Sequence, residues 1–242
     1  SEWKDAVVSP LFKKGASSKV SNYRPISLTS VFCKLMEKYI VAELLKYLLA
    51  NDLISKQQHG FLSGRNTSTN LLESLNDWTL NIENKVGQRV AYIDFTKAFD
   101  SVCHSKLIAK LSQYGIAGTL LCWIKDFLTG RTHRTKVGDC LSDVAYISSG
   151  VVQGSCLGPL LFLLYVNDIC DVFTNTVTLK LYADDIKLYS NVGLSVPATL
   201  NELQEQLNCL CRWADDWQLP ISYSKCNVLT IGKINTVICK QR

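Results

Sequence analysis

Apolar residues recur at every third or fourth position in several segments of this chain, which is the pattern of amphipathic helices. The pattern predicts helices over residues 31–50, 68–84 and about 197–217. Their predicted buried stripes are Val31, Leu35, Tyr39, Ala42 and Leu45; Leu71, Leu72, Leu75, Trp78 and Ile82; and Leu200, Leu203, Leu207, Leu210 and Trp213. Shorter helical patterns cover roughly residues 105–114, 118–128 and 159–173, and Pro159 is favourable in the first turn of the last one.

Other segments alternate between apolar and polar residues, as half-buried strands do. They cover residues 6–12, residues 89–95, two strands within 133–149 joined at Gly138-Asp139, the flanks 177–181 and 186–189 of Asp184-Asp185, and the end of segment 224–231. Strands and helices are mixed without a regular βαβ rhythm. We therefore predict an α+β fold, in which an antiparallel sheet is backed by helices.

The composition indicates a folded chain with a substantial core. With 242 residues and a hydrophobic content of 47%, the chain is too apolar to be disordered and long enough for one domain or two closely packed ones. The longest apolar run, residues 157–166, is interrupted by Gly158 and Pro159 and is too short to span a bilayer. The first residues resemble no signal peptide and include no initiator Met, so we interpret the chain as a piece of a longer protein.

Ten cysteines are scattered along the chain without a Cys-x-x-Cys pair. This content is well below the roughly 8–10% that marks a disulfide scaffold. The pattern indicates reduced, mostly buried thiols in an intracellular protein. Cys103-His104 has the composition of half a zinc site, but no second pair stands at zinc spacing, so we do not expect zinc.

Candidate chemistry begins with three carboxylates at the ends of predicted strands. Asp184 and Asp185 lie where a hairpin must turn, and Asp94 lies at the end of the strand-like run 89–95. Because Asp tolerates turn backbones, Asp184-Asp185 is compatible with a solvated turn. It is equally compatible with part of a divalent-metal site, because Mg²⁺ takes oxygen ligands and typically one or two carboxylates. The alternatives depend on whether the three acids converge.

Basic residues are concentrated near the N-terminus. Lys13, Lys14, Lys19 and Arg24 occur in a segment without any acid, within a chain of net charge +5. The segment is either a solvated loop or a phosphate-binding surface. Pro25 favours an extended backbone at Arg24, so that its side chain can project. Arg65, at the end of the loop that begins at Gly60, is a further candidate for a phosphate contact.

Five motifs in order along the chain resemble those of reverse transcriptases. They are Asn22–Leu28, similar to the fingers motif of the non-LTR (LINE-type) branch; Asp94–Asp100, similar to the first catalytic motif; Ser148–Gly154, similar to the second; Tyr182-Ala183-Asp184-Asp185, similar to the YxDD signature; and Ser224-Lys225-Cys226, similar to the lysine-bearing fourth motif. The resemblance covers essentially the whole chain up to about Gly232, after which the primer-grip motif is not recognisable.

The resemblance implies the fingers and palm of a right-hand polymerase, with the thumb missing. Residues 1–88 would be mostly fingers and 89–232 mostly palm, with part of 105–150 as an insert between the two, and 233–242 would be a truncated tail. The implied activity is RNA-directed DNA synthesis, in which dNTPs are added to a primer 3′-OH by two-metal phosphoryl transfer. The alternative is a catalytically inactive remnant that only binds nucleic acid or a partner.

The resemblance also assigns the catalytic centre. Asp94 and Asp184 would be the main ligands of two Mg²⁺ ions, with Mn²⁺ possible in their place. Asp185 would have a lesser or indirect role, and the backbone carbonyl of Phe95 is a candidate extra ligand. Lys225 matches a lysine proposed to protonate the pyrophosphate leaving group, and a solvated loop lysine is its alternative.

Nucleotide contacts follow from the same motifs. Arg24 matches the fingers arginine that contacts the incoming triphosphate, and Lys13 matches its accompanying lysine, although the adjacent Lys14 is an alternative. Phe99 matches the bulky gate that excludes a ribose 2′-OH, and ordinary core packing is its alternative. Gln153 and Gly154 match the motif that lies near nucleotide and template.

The expected partners are an RNA template, a DNA primer, dNTPs, and the endonuclease and thumb regions of a parent polyprotein. No membrane partner is expected. The family implies an intracellular location, in the nucleus or the cytoplasm.

Overall fold

The computed structural model describes residues 2–192 and 196–232. The chain divides into two compact units that alternate along the sequence. Unit 1 comprises Ser1–Ile54 and Phe99–Tyr165, and unit 2 comprises Ser55–Ala98 and Val166–Arg242. The predicted fingers (1–88) and palm (89–232) are a division by function and stay a prediction, and the predicted tail at 233–242 lies outside the described residues.

The secondary structure lies close to the predicted segments. The strands are β1 (Asp5–Phe12), β2 (Tyr23–Leu28), β3 (Gly87–Ile93), β4 (Arg131–Val137), β5 (Cys140–Leu141), β6 (Ala145–Ile147), β7 (Thr178–Tyr182), β8 (Asp185–Val192) and β9 (Asn227–Ile231). The α-helices are α1 (Val31–Ala50), α2 (Thr67–Glu83), α3 (Ala98–Ser101), α4 (His104–Gln113), α5 (Gly118–Leu128), α6 (Gly158–Val166) and α7 (Val196–Asp216). The helix predicted over 159–173 is wrong in its second half, where a 3₁₀ helix, Asn167–Val172, follows α6.

Unit 1 contains a five-stranded sheet with the order β2-β1-β4-β5, and β6 also pairs with β4. Strand β1 pairs antiparallel with β2 and parallel with β4. The sequence predicts two strands within 133–149, but the structure has three. The chain turns a second time after Leu141, and β6 returns to pair with the first half of β4.

Helix α1 buries a different face from the predicted one. Val31, Leu35 and Tyr39 are 71%, 58% and 71% exposed, so the predicted stripe is wrong. The buried positions of α1 are Cys33, Glu37, Leu44 and Leu48. Glu37 explains the difference, because its Oε2 accepts hydrogen bonds from two backbone amides immediately before α6, at 2.6 and 2.9 Å. A carboxylate at a helix N-terminus is favourable, and here it turns a charged side chain inward.

Unit 2 contains a four-stranded sheet with the order β7-β8-β3-β9, and every pairing is antiparallel. Helices α2 and α7 pack against this sheet. Trp78 of α2 meets Tyr189 of β8 edge to face, with ring centroids 6.0 Å apart, and both pack with the fully buried Val90 of β3. The predicted antiparallel sheet backed by helices is therefore present in this unit.

Helix α2 also departs from its predicted stripe, since only Trp78 of that set is buried. The exposed members are Leu71, Leu72, Leu75 and Ile82. Asn70 and Ser74 are buried instead, and the Lys187 ammonium donates hydrogen bonds to both side chains, at 3.2 and 2.9 Å. Buried polar groups require such partners, so hydrogen bonding determines which face of α2 lies inward.

Helix α7 follows its prediction more closely. Leu203, Leu210 and Trp213 are buried, whereas the side chain of Leu200 lies outside the described residues. Across residues 2–192 and 196–232, no helix combines the length and the apolar character that crossing a membrane requires.

Candidate active site

Three carboxylates lie at one end of the sheet of unit 2. Asp94 directly follows β3, and Asp184 and Asp185 occupy the connection from β7 to β8. Strands β3 and β8 are neighbours, and their register pairs Ile93 with Ile186. One further step along this register places Asp94 opposite Asp185. Antiparallel pairing thus brings together acids that are about ninety residues apart in the sequence.

The β7–β8 hairpin turns over only two residues, because Tyr182 pairs with Asp185. Ala183 has a positive φ of 56°, and Asp184 does not share this conformation. A positive φ at the first central residue alone is the pattern of a type II′ turn, where Gly is usual. Ala in this region costs on the order of 1 kcal/mol. The turn therefore depends on contacts that stabilise Ala183 from outside the hairpin.

The backbone after β3 pairs with residues 220–222 on both sides of Phe95 and leaves the Phe95 carbonyl outside this pairing. The Asp94 carbonyl accepts a hydrogen bond from the Ser222 amide at 2.8 Å, and the Thr96 amide donates to the Pro220 carbonyl at 2.7 Å. Phe95 itself forms a bridge with Ile221. In such a non-hydrogen-bonded pair, the amide and carbonyl of the central residue point away from the partner segment.

Lys225 is the cation of this group. It ends a short 3₁₀ helix, Tyr223–Lys225, immediately before β9. Its Nζ donates a hydrogen bond to Asp94 Oδ1 at 2.9 Å, with side-chain exposures of 60% for Lys225 and 34% for Asp94. An ion pair this exposed contributes little to stability, about 0–1 kcal/mol. The position of Lys225 beside the carboxylates is therefore more important for the chemistry of the site than for the stability of the fold.

Electrostatics distinguish Asp185 from an ordinary surface carboxylate. Desolvation by the surrounding protein raises the pKa of Asp185, and the negative charges of Asp184 and Asp94 raise it further, whereas Lys225 lowers it. The direction shows that the ionised form is disfavoured where it stands. A bound cation would remove this penalty by compensating the repulsion between the three acids.

The donor set fits a hard divalent cation by its chemistry. Carboxylate and carbonyl oxygens are the ligands that Mg²⁺ prefers, together with water and phosphate oxygens. Among the described residues, however, no group of three or more acidic, histidine or cysteine side chains stands assembled to hold a metal ion. Asp94, Asp184 and Asp185 therefore lie close enough to interact electrostatically, but their side chains do not form a closed coordination shell.

An open cavity of about 400 Å³ adjoins the carboxylates within unit 2. Its lining includes Asp94, Tyr182, Asp185, Lys187 and Lys225. Polar and charged side chains thus meet an aromatic ring at this surface. This combination suits a ligand that carries both phosphates and flat bases.

The basic segment forms a hairpin in unit 1. Arg24 of β2 pairs with Leu11 of β1, and the Lys13 amide donates to the Asn22 carbonyl at 2.8 Å. Side chains alternate along a strand, so Leu11, Lys13 and Arg24 share one face of the hairpin. Lys14 follows where the chain bends, beyond the end of β1 at Phe12. The geometry therefore favours Lys13 over Lys14 as the companion of Arg24.

Gln153 and Gly154 lie against the same hairpin in unit 1. The Gln153 carbonyl accepts a hydrogen bond from the Ser27 amide of β2 at 2.7 Å. The Gln153 side chain donates from Nε2 to Asp100 Oδ1, also at 2.7 Å. Gly154 has a φ of +108°, and a Cβ there would lie 2.5 Å from the Ser27 carbonyl oxygen. Only glycine fits this approach, so the loop is fixed to the strand that carries Arg24.

Phe99 also lies in unit 1. Its half-buried ring stacks on Phe162 of α6, with centroids 4.3 Å apart and an interplanar angle of 15°. Its carbonyl accepts a hydrogen bond from the Val151 amide at 2.8 Å. The residue is thus anchored by packing on one side, and the gate role stays a prediction.

The sequence reasoning missed residues 57–60, which contact the acidic hairpin directly. Gln58 is buried, and its Oε1 accepts a hydrogen bond from the Ala183 amide at 2.9 Å. The neighbouring loop was expected to offer Arg65 to phosphate, but Arg65 Nη1 donates to the carbonyls of Lys56 and Gln58 instead. No local pattern marks a glutamine whose partner lies 125 residues later.

Comparisons with known proteins identify the family. The profile of the family "Reverse transcriptase (RNA-dependent DNA polymerase)" matches residues 12–240. The chain is 32% identical over 237 residues to the RNA-directed DNA polymerase from mobile element jockey of Drosophila melanogaster, covering 95% of the chain and 26% of that protein. It is 30% identical over 241 residues to the probable RNA-directed DNA polymerase from transposon BS of the same species, covering 93% and 25%. The chain spans about a quarter of the length of these curated relatives.

Solved telomerase structures share the fold. Apo telomerase from Candida tropicalis, truncated from the C-terminal domain, has a TM-score of 0.68 at 11% identity, covering 97% of this chain and 52% of that one. Telomerase of the same organism in complex with a TWJ fragment of telomeric RNA has a TM-score of 0.63 at 11% identity, covering 94% and 41%. At this identity the likeness concerns the fold alone.

This chain belongs to the reverse transcriptase family, because the family profile covers nearly its whole length. Its mobile-element relatives confirm the predicted LINE-type resemblance. The shared fold confirms the predicted fingers-and-palm fold class.

Proposed function

We propose that this chain supplies the fingers and palm of an RNA-directed DNA polymerase that extends a DNA primer on an RNA template. The observation that carries the proposal is the convergence of Asp94 and Asp185 in neighbouring strands, with Asp184 in the same turn and Lys225 bonded to Asp94. In a chain of this family, such a group has the composition that phosphoryl transfer requires.

The carboxylates are proposed to hold the metal ions of the reaction. Two Mg²⁺ ions, or Mn²⁺ in their place, would supply charge that stabilises the attacking and leaving oxygens of an in-line displacement. Asp94 and Asp184 are assigned as the main ligands, and the Phe95 carbonyl as an additional one. Asp185 is assigned a lesser role, in keeping with the pKa shift that disfavours its charge.

Lys225 is proposed to act as a general acid. Its ammonium lies beside Asp94, where it can hold a proton for the pyrophosphate leaving group. General acid catalysis of this kind typically contributes about 10²–10⁴-fold to a rate.

Unit 1 is proposed to bind the incoming dNTP. Lys13 and Arg24 share an exposed face of the β1–β2 hairpin, and we assign the triphosphate to them. Gln153 and Gly154 are fixed to the same hairpin and are assigned to nucleotide and template contacts. Phe99 is assigned to exclude the ribose 2′-OH, with Phe162 as the packing surface that holds its ring.

The proposed domains keep the predicted division, in which residues 1–88 are mostly fingers and 89–232 are mostly palm, with part of 105–150 as an insert between the two. The support is that Asp94, Asp184, Asp185 and Lys225 all follow residue 88. The proposed partners are an RNA template and a DNA primer. One of the telomerases with this fold is described in complex with telomeric RNA, and the relatives are RNA-directed DNA polymerases.

Primer extension tests the proposed function. In a protein that contains this chain, we expect Mg²⁺-dependent incorporation of dNTPs into a DNA primer annealed to RNA. Asp184→Asn should lower the rate by at least about 10³-fold, because it removes a charge that the transition state requires. The matched control is Asp171→Asn, at an exposed position of the 3₁₀ helix after α6, which should retain the wild-type rate.

The same experiment distinguishes an active polymerase from a catalytically inactive remnant that only binds nucleic acid or a partner. Unchanged activity in Asp184→Asn would overturn the metal assignment. A wild-type protein that binds a primer–template duplex in a salt-dependent way, but does not extend the primer with either Mg²⁺ or Mn²⁺, would favour the inactive alternative.

A further inference from the structure

A segment outside the recognised motifs, in which Gln58 and His59 are buried, contacts the turn that carries two of the catalytic acids. Residues 57–59 run alongside β7, which is an edge strand of the sheet of unit 2. The Leu181 amide donates to the Gln57 carbonyl at 3.0 Å, and the His59 amide donates to the Leu181 carbonyl at 2.9 Å. The segment therefore adds a short parallel pairing that ends at the acidic turn.

The Gln58 side chain reaches beyond this pairing to the turn itself. Its Oε1 accepts hydrogen bonds from the Ala183 amide at 2.9 Å and from the Gly60 amide at 2.7 Å. Its Nε2 makes a longer contact of 3.5 Å with the Ala183 carbonyl. Both backbone groups of Ala183 are thus engaged by one side chain that is only 2% exposed.

Ala183 is the residue of the turn that most needs this support. Its φ of 56° is a conformation that residues with a Cβ rarely adopt. Gly60 lies so close that a Cβ on it would come within 2.3 Å of the Ala183 nitrogen. The backbone of the turn is therefore enclosed by the Gln58 amide on one side and by the Gly60 backbone on another.

Gln58 is itself fixed by its neighbours. Arg65 Nη1 donates to the Gln58 carbonyl. His59 Nε2 lies 3.1 Å from Glu73 Oε1, and Glu73 Oε2 accepts from Lys180 of β7. The segment is tied to α2 and to the hairpin at once, so that a change in Gln58 is transmitted to the turn and not absorbed by a loose loop.

We propose that Gln58 is a positioning residue of the catalytic centre, which holds the Ala183 turn so that Asp184 and Asp185 stay beside Asp94. The proposal rests on the proposed metal-dependent function, which it extends by a residue outside the motifs. Gln58 touches no reacting group and acts through the backbone of Ala183.

Two measurements on the same variants test this role. The first is hydrogen exchange of the Ala183 amide, followed by NMR, with the Trp217 amide, which donates to the Trp213 carbonyl at 2.9 Å, as an internal reference. The second is the Kd for Mn²⁺, followed by electron paramagnetic resonance. In Gln58→Leu we expect Ala183 exchange to accelerate and the Kd for Mn²⁺ to rise, each by about tenfold, the size of one lost hydrogen bond.

Two further variants separate positioning from general stability. Gln58→Glu keeps an oxygen that can accept from Ala183 and Gly60, so it should preserve protection of the Ala183 amide. Gln206→Leu is the matched control, because Gln206 is also a buried glutamine of unit 2 and accepts from the Thr174 amide at 3.0 Å. It should lower Tm without changing Ala183 exchange or the Kd for Mn²⁺.

Each outcome decides the proposal. Unchanged Ala183 exchange in Gln58→Leu overturns it, and so does an unchanged Kd for Mn²⁺ when the wild-type chain binds that ion. A rise in Kd in Gln206→Leu as large as in Gln58→Leu also overturns it, because the effect then follows stability alone. A wild-type chain that binds no Mn²⁺ contradicts the proposed function, and the Ala183 exchange rate then decides alone whether Gln58 holds the turn.

Discussion

At the scale of single residues, the acids of the site differ in the electrostatic environment that surrounds their charge. Asp94 is compensated by the Lys225 ammonium at 2.9 Å. Asp185 has a raised pKa, first because of desolvation and then because of Asp184 and Asp94. An acid with a raised pKa in the folded state lowers stability when it is ionised, and protonation removes that cost. The repulsion is a property of the protein without a bound cation.

We predict that Asp185→Asn raises the Tm of the metal-free chain at pH 7. The gain should shrink as the pH falls through the raised pKa of Asp185 and should vanish below the ordinary value of 3.8, because both states then carry a protonated acid. Thermal unfolding followed by circular dichroism between pH 3 and pH 8 in the presence of a chelator measures the difference. Asp171→Asn serves as the control, and a gain that is equal at pH 3 and pH 7 would contradict the electrostatic explanation.

At the scale of elements, the β1–β2 hairpin determines which basic side chains act together. The register pairs Leu11 with Arg24, and alternation places Lys13 on the same face. T-shaped packing of Phe12 against Tyr23, with ring centroids 5.4 Å apart, stabilises the end of the hairpin. The Gly154 backbone approaches the Ser27 carbonyl of β2 closely and fixes the position of that strand. Two cations therefore project from a supported strand pair, while Lys14 lies where the chain bends.

We predict that Arg24→Gln raises the KM for dNTPs by about 10–100-fold, which corresponds to the loss of a charge-assisted hydrogen bond to phosphate. Lys13→Gln should raise the KM by a smaller factor. Lys14→Gln, one residue further, should leave the KM within about twofold of the wild-type value. Steady-state primer extension at varied dNTP concentration measures all three. An effect of Lys14→Gln as large as that of Lys13→Gln would contradict the assignment by strand face.

The elements themselves were largely predictable because their signals are local. Apolar periodicity predicts a helix over residues 31–50, and α1 spans Val31–Ala50. The buried faces were not predictable from the same pattern. Glu37 and Asn70 lie inward because their partners come from distant segments, at residues 156–157 and at Lys187. Periodicity along the sequence assigns polar residues to the surface, because it contains no information about hydrogen bonds to distant segments.

The candidate site likewise contains residues that the sequence identifies and one residue that only the structure identifies. Asp94, Asp184 and Asp185 are recognisable from their motifs, and the strand ends that carry them can be inferred from alternation. Gln58 is different, since its role arises only when β7 folds back against residues 57–59. The sequence indicates a loop around Gly60 but not what it encloses. Positioning residues of this kind become visible only when tertiary contacts are known.

At the scale of the whole molecule, the exposed face of α1 is the clearest departure from an ordinary protein surface. Val31, Phe32, Leu35 and Tyr39 are between 58% and 72% exposed. Neighbouring apolar side chains on one helix face differ from the scattered exposed residues of most surfaces. The chain spans about a quarter of the length of its curated relatives. The face is thus an association liability for the chain when it is produced alone.

We predict that Phe32→Glu combined with Leu35→Lys reduces self-association of the isolated chain several-fold, measured by light scattering between about 1 and 100 μM. The Tm should stay within about 2 °C of the wild-type value, because surface substitutions usually change stability by less than about 0.5 kcal/mol. Leu48→Glu, at a position of the same helix that is fully buried, should instead lower the Tm sharply. If the double variant loses as much stability as Leu48→Glu, then Phe32 and Leu35 pack inside the folded chain in solution. That result would contradict the assignment of this face of α1 as exposed.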